Sequence, residues 1–104
     1  MSFTVRFTRL AERDLDEIIH YIAKENPQQA LKFVDELQKR AVQTLEVFPR
    51  SGSIYKDVRF LSFDNYVVVY DIDETDLKVN ILLVTEGHRQ WREVLIDRSG
   101  SSMY

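Results

Sequence analysis

Six side chains in the second half of the chain are of the types that hold phosphate, move a proton or stack on a base. They are Lys56, Arg59, His88, Arg89, Trp91 and Arg92. A guanidinium can grip a phosphate with two parallel hydrogen bonds. An imidazole titrates near neutral pH and can serve as acid or base. An indole can stack on a base or anchor a protein partner. The plainer reading of the same residues has Trp91 packed over the end of a sheet. The arginines would then pair at the rim with Glu86, Glu93 or Asp97, in ion pairs that contribute little. The pattern alone favours the plainer reading.

Other chemistries find less support. Gly52, Gly87 and Gly100 are too far apart for a phosphate-cradling loop. No serine sits in a nucleophile elbow. The chain has no cysteine, which excludes a disulfide framework, a thiol nucleophile and thiolate zinc sites, and which agrees with a reducing cytoplasm. His20 and His88 fall in different elements, and neither has a second metal ligand at helical spacing. His20, beside Ile19 and Tyr21 on a helix, reads as a boundary histidine of a helical hairpin. The acidic run Asp71, Asp73, Glu74 and Asp76 lacks the glycine and distal glutamate of a calcium loop, and reads as a solvated turn. Tyr66 and Tyr70 read as sheet aromatics. No metal and no cofactor is expected.

The elements that must position these residues follow from periodicity. The chain has 104 residues, 44% hydrophobic and 30% charged, enough for one domain with its own core. Its net charge is −3 and its pI near 5.3, which argues against a broadly basic nucleic-acid surface. No apolar run approaches the length of a membrane span, and the N-terminus does not resemble a signal peptide.

Phe3, Val5 and Phe7 alternate with Thr4 and Arg6, the period of a strand. Thr8 is placed to cap a helix whose apolar face is Ala11, Leu15, Ile18 and Ile22. Asn26-Pro27 ends that helix and starts another, with Ala30, Val34, Leu37, Ala41, Leu45 and Phe48 as its stripe. Residues from about 9 to 48 thus form an antiparallel helical hairpin. Pro49 stops it, and Ser51-Gly52-Ser53 reads as a loop. Three strands follow: 58–63, 66–72 and 77–85. Asp64-Asn65 and Asp73–Asp76 form the turns between them. His88 to Asp97 fits either a short helix or an extended edge. Residues 98–104 read as a flexible tail after a single domain over 1–97. The expected fold is α+β in the order β-α-α-β-β-β, with a helical hairpin on a mostly antiparallel twisted sheet.

This arrangement resembles the RelE/ParE superfamily of toxins from bacterial type II toxin–antitoxin modules, from Phe3 to about Leu95. The resemblance rests on Val5-Arg6-Phe7-Thr8, Ala11-Glu12-Arg13-Asp14-Leu15, Ile18–Ala23, Asn26-Pro27, Ala30–Val34, Phe48-Pro49-Arg50-Ser51-Gly52, Tyr66–Tyr70 and Gly87-His88-Arg89-Gln90-Trp91. It is nearest to the ParE branch. It implies a cytoplasmic protein, neutralised by a small antitoxin that wraps it, with operator DNA bound only through the complex. ParE-like members inhibit DNA gyrase, a role tied to plasmid stabilisation. RelE-like members cleave messenger RNA in the ribosome, using basic side chains on the sheet, an arginine on its middle strand and a C-terminal tyrosine or histidine. Here those positions hold Val67 and Leu95, and only Arg89 matches plainly, with His88 beside it. The resemblance therefore implies a non-enzymatic gyrase inhibitor with a target-binding surface at Lys56, Arg59, Arg89, Trp91 and Arg92. Two alternatives are a ribosome-dependent endoribonuclease using His88 and Arg89, and a toxin fold that has lost toxicity and serves only as antitoxin partner.

Overall fold

The computed structural model describes residues 2–87 and 89–100. The first strand, β1 (Thr4–Phe7), leads into α1 (Arg9–Ala23) and α2 (Pro27–Val47). Both helix starts are capped by side chains. Thr8 Oγ1 accepts the Ala11 N–H at 3.3 Å, and Asn26 Oδ1 accepts the Gln29 N–H at 3.1 Å, with Pro27 in the first turn. The expected helical hairpin therefore stands, with its link at residues 24–26.

Four further strands follow: β2 (Ser53–Tyr55), β3 (Val58–Phe63), β4 (Tyr66–Asp73) and β5 (Lys78–Glu86), and then α3 (Trp91–Gly100). Two of these depart from the sequence reading. Ser53 belongs to a short strand rather than a loop, because β2 folds back on β3 through a two-residue turn with Lys56 at φ 54°. The segment from Trp91 to Gly100 is helical, so Asp97, where the domain was expected to end, lies inside a helix. Arg98 stands in the last turns of α3, not in a tail; residues 101–104 lie outside the described residues.

The sheet order is β1-β5-β4-β3-β2, antiparallel except for β1 beside β5. The β3–β4 turn places Asp64 at φ 57°, a conformation an aspartate tolerates. Both faces of the sheet are covered. On one, Val68, Tyr70, Val79, Ile81 and Val84 meet Ala11, Leu15, Val34, Leu37 and Leu45 of the helical hairpin. On the other, Val67, Val69, Leu82 and Leu83 lie under Trp91 and Leu95 of α3. That double coverage explains why β4 reads as a continuous apolar run.

A bulge adjusts β5 to this arrangement. Val69 pairs with Leu83 but Tyr70 pairs with Ile81, which leaves Leu82 as an extra residue. Side-chain alternation slips by one, so that Leu82 and Leu83 both face α3.

The loop entering β2 is fixed by Tyr70. Its hydroxyl accepts the Gly52 N–H at 2.9 Å, and Arg59 donates to the carbonyls of Gly52 at 3.0 Å and Arg50 at 3.2 Å. A Cβ on Gly52 would stand 2.5 Å from the Tyr70 hydroxyl and 2.8 Å from the Phe60 carbonyl oxygen. Gly52→Ala is expected to cost about 2–3 kcal/mol by this overpacking, read as a lower urea midpoint at unchanged m. A midpoint equal to the parent's would mean the loop yields at no cost.

Candidate functional site

The five residues expected to form one target-binding surface divide among three places. Arg59 opposes Tyr70 across the β3–β4 ladder, on the helical-hairpin face, and its guanidinium is spent on the 50–52 loop. Trp91 is only 4% exposed and packs edge-on against Tyr55 and at a tilt against Phe60, with ring centroids at 5.4 and 4.9 Å. The plainer reading of Trp91 is the one the structure bears out. Arg92 is exposed and stacks over Trp91, 4.2 Å from the ring centroid, with Tyr55 and Phe60 beside it. Lys56 also reaches the Tyr55 ring, its Nζ 5.6 Å from the centroid. Arg89 stands apart from these, exposed at the mouth of a groove between α1 and α3. Among the described residues, neither Arg89 nor Arg92 comes within 4 Å of a carboxylate, so the expected rim ion pairs are replaced by stacking at Arg92. His88 lies outside the described residues.

Val67 and Leu95, at 5% and 4% exposure, belong to the same buried cluster as Trp91. A cationic or phenolic group in either place would have to be buried among aliphatic side chains. The acidic turn is occupied locally. Asp73 Oδ1 accepts the Thr75 and Asp76 N–H groups at 3.0 Å, Asn80 donates to Asp71, and Glu74 pairs with Arg50. His20 Nδ1 lies 2.7 Å from the Asp16 carbonyl oxygen on the exposed side of α1.

The groove beside Arg89 was not legible as a unit in the sequence. Its volume is about 340 Å³, and its lining includes Asp14, Glu17, Ile18 and Tyr21 of α1, Tyr66 of β4, Val84 and Glu86 of β5, and Val94 and Arg98 of α3. β1 covers only the first four residues of β5, Lys78 to Ile81. Thr8 closes that stretch, its N–H and Oγ1 both donating to the Ile81 carbonyl. Beyond it, side chains stand in for a neighbouring strand. Asp14 Oδ2 accepts the Val84 N–H at 3.0 Å, and Arg98 Nη1 donates to the Leu82 carbonyl at 2.7 Å. The two side chains also grip each other, Nη2 to Oδ1 at 2.6 Å and Nη1 to Oδ2 at 3.0 Å, with exposures of 9% for Asp14 and 16% for Arg98. One sequence signal pointed there: Asp14 falls three residues after Ala11 and four before Ile18, inside an apolar stripe where an aspartate needs a partner.

At the groove's upper end, burial raises the Tyr66 phenol above its ordinary pKa of 10.0, with the Glu86 and Tyr21 charges adding to the shift. Burial likewise raises Tyr70, against lowering contributions from Gly52, Arg59 and Ser51. In the window between pH 10 and these raised values the unfolded chain has lost protons that the folded chain keeps, so stability falls as pH rises. Tyr66→Phe is expected to flatten that alkaline decline, measured as the urea midpoint against pH from about 9 to 11.5. A decline as steep as the parent's would remove Tyr66 from the account.

No described helix is long and apolar enough to cross a membrane. Residues 5–91 match the family model of the ParE toxin of the type II toxin–antitoxin system parDE. A Sinorhizobium fredii protein named "Putative toxin Y4kP" is 37% identical over 95 residues, which cover 88% of this chain and 95% of that protein. A structure of the chromosomal ParDE system from P. aeruginosa superposes with a TM-score of 0.69 at 25% identity, over 82% of this chain and 96% of that one. The RelBE2 toxin–antitoxin complex from Mycobacterium tuberculosis gives 0.64 at 26% identity, over 83% and 99%. The isolated E. coli RelE toxin shares the fold at 16% identity, with a TM-score of 0.59 over 93% and 98%.

Proposed function

From the chain's membership of the ParE toxin family of type II toxin–antitoxin systems, we propose that this toxin acts by inhibiting DNA gyrase and is held inactive by a cognate antitoxin. The observation that carries the choice of target is the burial of Val67 and Leu95 in one cluster with Trp91. The ribonuclease branch, as the family resemblance describes it, needs an arginine and a phenol or imidazole near these places. Such groups act by presenting fixed positive charge and a proton to a phosphate in transit. Two aliphatic side chains at 5% and 4% exposure present neither. Of the expected cations, Arg59 is engaged on the opposite face and Lys56 and Arg92 lie against the Tyr55 ring, which leaves Arg89 apart from them at the groove. A binding surface, rather than a catalytic centre, is what such an arrangement supports. The acidic pI agrees, since docking on ribosomal RNA draws its affinity from many phosphate contacts.

The deciding experiment pairs a gyrase supercoiling assay with a ribosome-programmed mRNA cleavage assay, both using the isolated toxin. Accumulation of cleaved DNA with intact mRNA is the expected result. Cut mRNA with unaffected gyrase would overturn the reading and return His88 and Arg89 to the role of catalytic pair.

A further inference from the structure

The upper half of β5 has an edge that this chain closes only in part. The Val84 N–H already faces outward, since it donates to Asp14. In an antiparallel ladder the outward-facing residues alternate, so Glu86 faces the same way as Val84. The Glu86 carbonyl is taken by the Arg89 N–H at 3.1 Å. Among the described residues nothing pairs with the Val84 carbonyl or the Glu86 N–H, which turn toward the groove, one on each side of Thr85. A single residue of a parallel strand meets both: its N–H donates to the first and its carbonyl accepts from the second. The strand would run in the same direction as β1, continuing its line where the chain turns away into α1 at Thr8.

We propose that this groove binds an extended segment of a protein partner, added parallel to β5, with the pattern apolar–any–Lys/Arg. The residues flanking the bonded one fall on the helical-hairpin face of the sheet, as Val84 and Tyr66 do. The first of them lies beside Val84 and Ile18, which are buried and apolar. The second lies beside Glu86, Glu17, Tyr21 and Tyr66. Once Asp14 and Arg98 are paired, the described lining of the groove retains two carboxylates, Glu17 and Glu86, against one guanidinium, Arg89. A cation is the complement. The aromatic ring of Tyr21, 65% exposed, adds a surface suited to the stem of a lysine or arginine. Main-chain pairing supplies affinity and the two pockets supply selectivity. This deepens the antitoxin part of the proposed function, on which it rests for the source of the segment.

The test uses the full chain labelled with ¹⁵N and the peptide acetyl-Thr-Val-Thr-Lys-Thr-amide at millimolar concentration. Amide shifts are expected at Thr85 and Glu86. Glutamate in place of the peptide's lysine should weaken binding at least tenfold, and proline at its central position, which removes the pairing N–H, should abolish the shifts. The double variant Glu17→Arg with Glu86→Arg should also bind the lysine peptide at least tenfold more weakly while keeping the parent's spectrum elsewhere. The proposal falls if no amide along β5 moves, if shifts gather at the β2 edge instead, or if the glutamate peptide binds as well as the lysine one. Binding is read here without gyrase. An empty groove in a chain that inhibits gyrase overturns this inference alone, whereas a filled groove in a chain that does not leaves the target assignment as the failure.

Discussion

Asp14→Ala is expected to destabilise the protein by about 3–5 kcal/mol, a fall in Tm of roughly 15–30 °C. The substitution removes few contacts by area. It removes the Asp14 carboxylate from Arg98, whose side chain is 16% exposed, and it takes the acceptor from the Val84 N–H on a stretch of β5 that β1 does not reach. Breaking one half of a buried pair costs more than the pair itself contributes, because the remaining charge stays desolvated. The double variant Asp14→Ala with Arg98→Ala should therefore cost less than the sum of the two single changes. Urea titration of the four proteins closes the cycle. Additive single effects would mean that the two side chains act independently, and that the Leu82 and Val84 backbone groups are satisfied some other way.

The second large effect is at Trp91. Its indole fills the space between α3 and Val58, Val67, Val69, Leu82 and Leu83, and Trp91→Ala should cost about 3–5 kcal/mol. Arg89→Ala, two residues earlier and exposed, should stay within about 0.5 kcal/mol of the parent. The contrast matters for any toxicity assay. A growth defect relieved by Trp91→Ala would report lost folding, whereas one relieved by Arg89→Ala would report a lost contact. Thermal melts of both variants, run beside growth measurements without antitoxin, separate the two. A Trp91→Ala protein that melts with the parent and has lost toxicity would restore the tryptophan to the target surface.

Much of the fold could be read from local pattern. Thr8, Asn26 and Pro27 mark their helix boundaries by capping chemistry, which acts within three or four residues and needs no tertiary information. The Asp64-Asn65 turn and the β4 apolar run are equally local. What escaped the sequence was set by distant contacts. The strand β2 exists because β3 lies beside it, not because Ser53-Ile54-Tyr55 carries a strong signal. The helix α3 is nearly featureless in hydrophobic pattern, and its fold depends on Trp91 and Leu95 meeting the far face of the sheet. The site suffered most. Arg59, Arg89 and Arg92 look alike in sequence, yet one is spent on loop carbonyls, one is stacked on an indole and one stands at a groove. The face each side chain takes depends on strand register and on the placement of α3, and neither is encoded near the residue itself.

The parallel pairing of β1 with β5 also bears on how the molecule assembles in time. The hairpins β3–β4 and β4–β5 join neighbours in sequence and can form early, whereas the Thr8–Ile81 bond spans 73 residues and the Asp14–Arg98 bond spans 84. Loops that long must close before their contacts return any free energy, so such contacts belong to the late side of the folding barrier. Kinetic φ-values should be high in the meander and low at Thr8 and Asp14, and variants at the latter two should hasten unfolding more than they slow folding. On the ribosome, β1 and α1 emerge first yet have no sheet to join until β5 has been made, which leaves the apolar face of α1 waiting through most of the chain's synthesis.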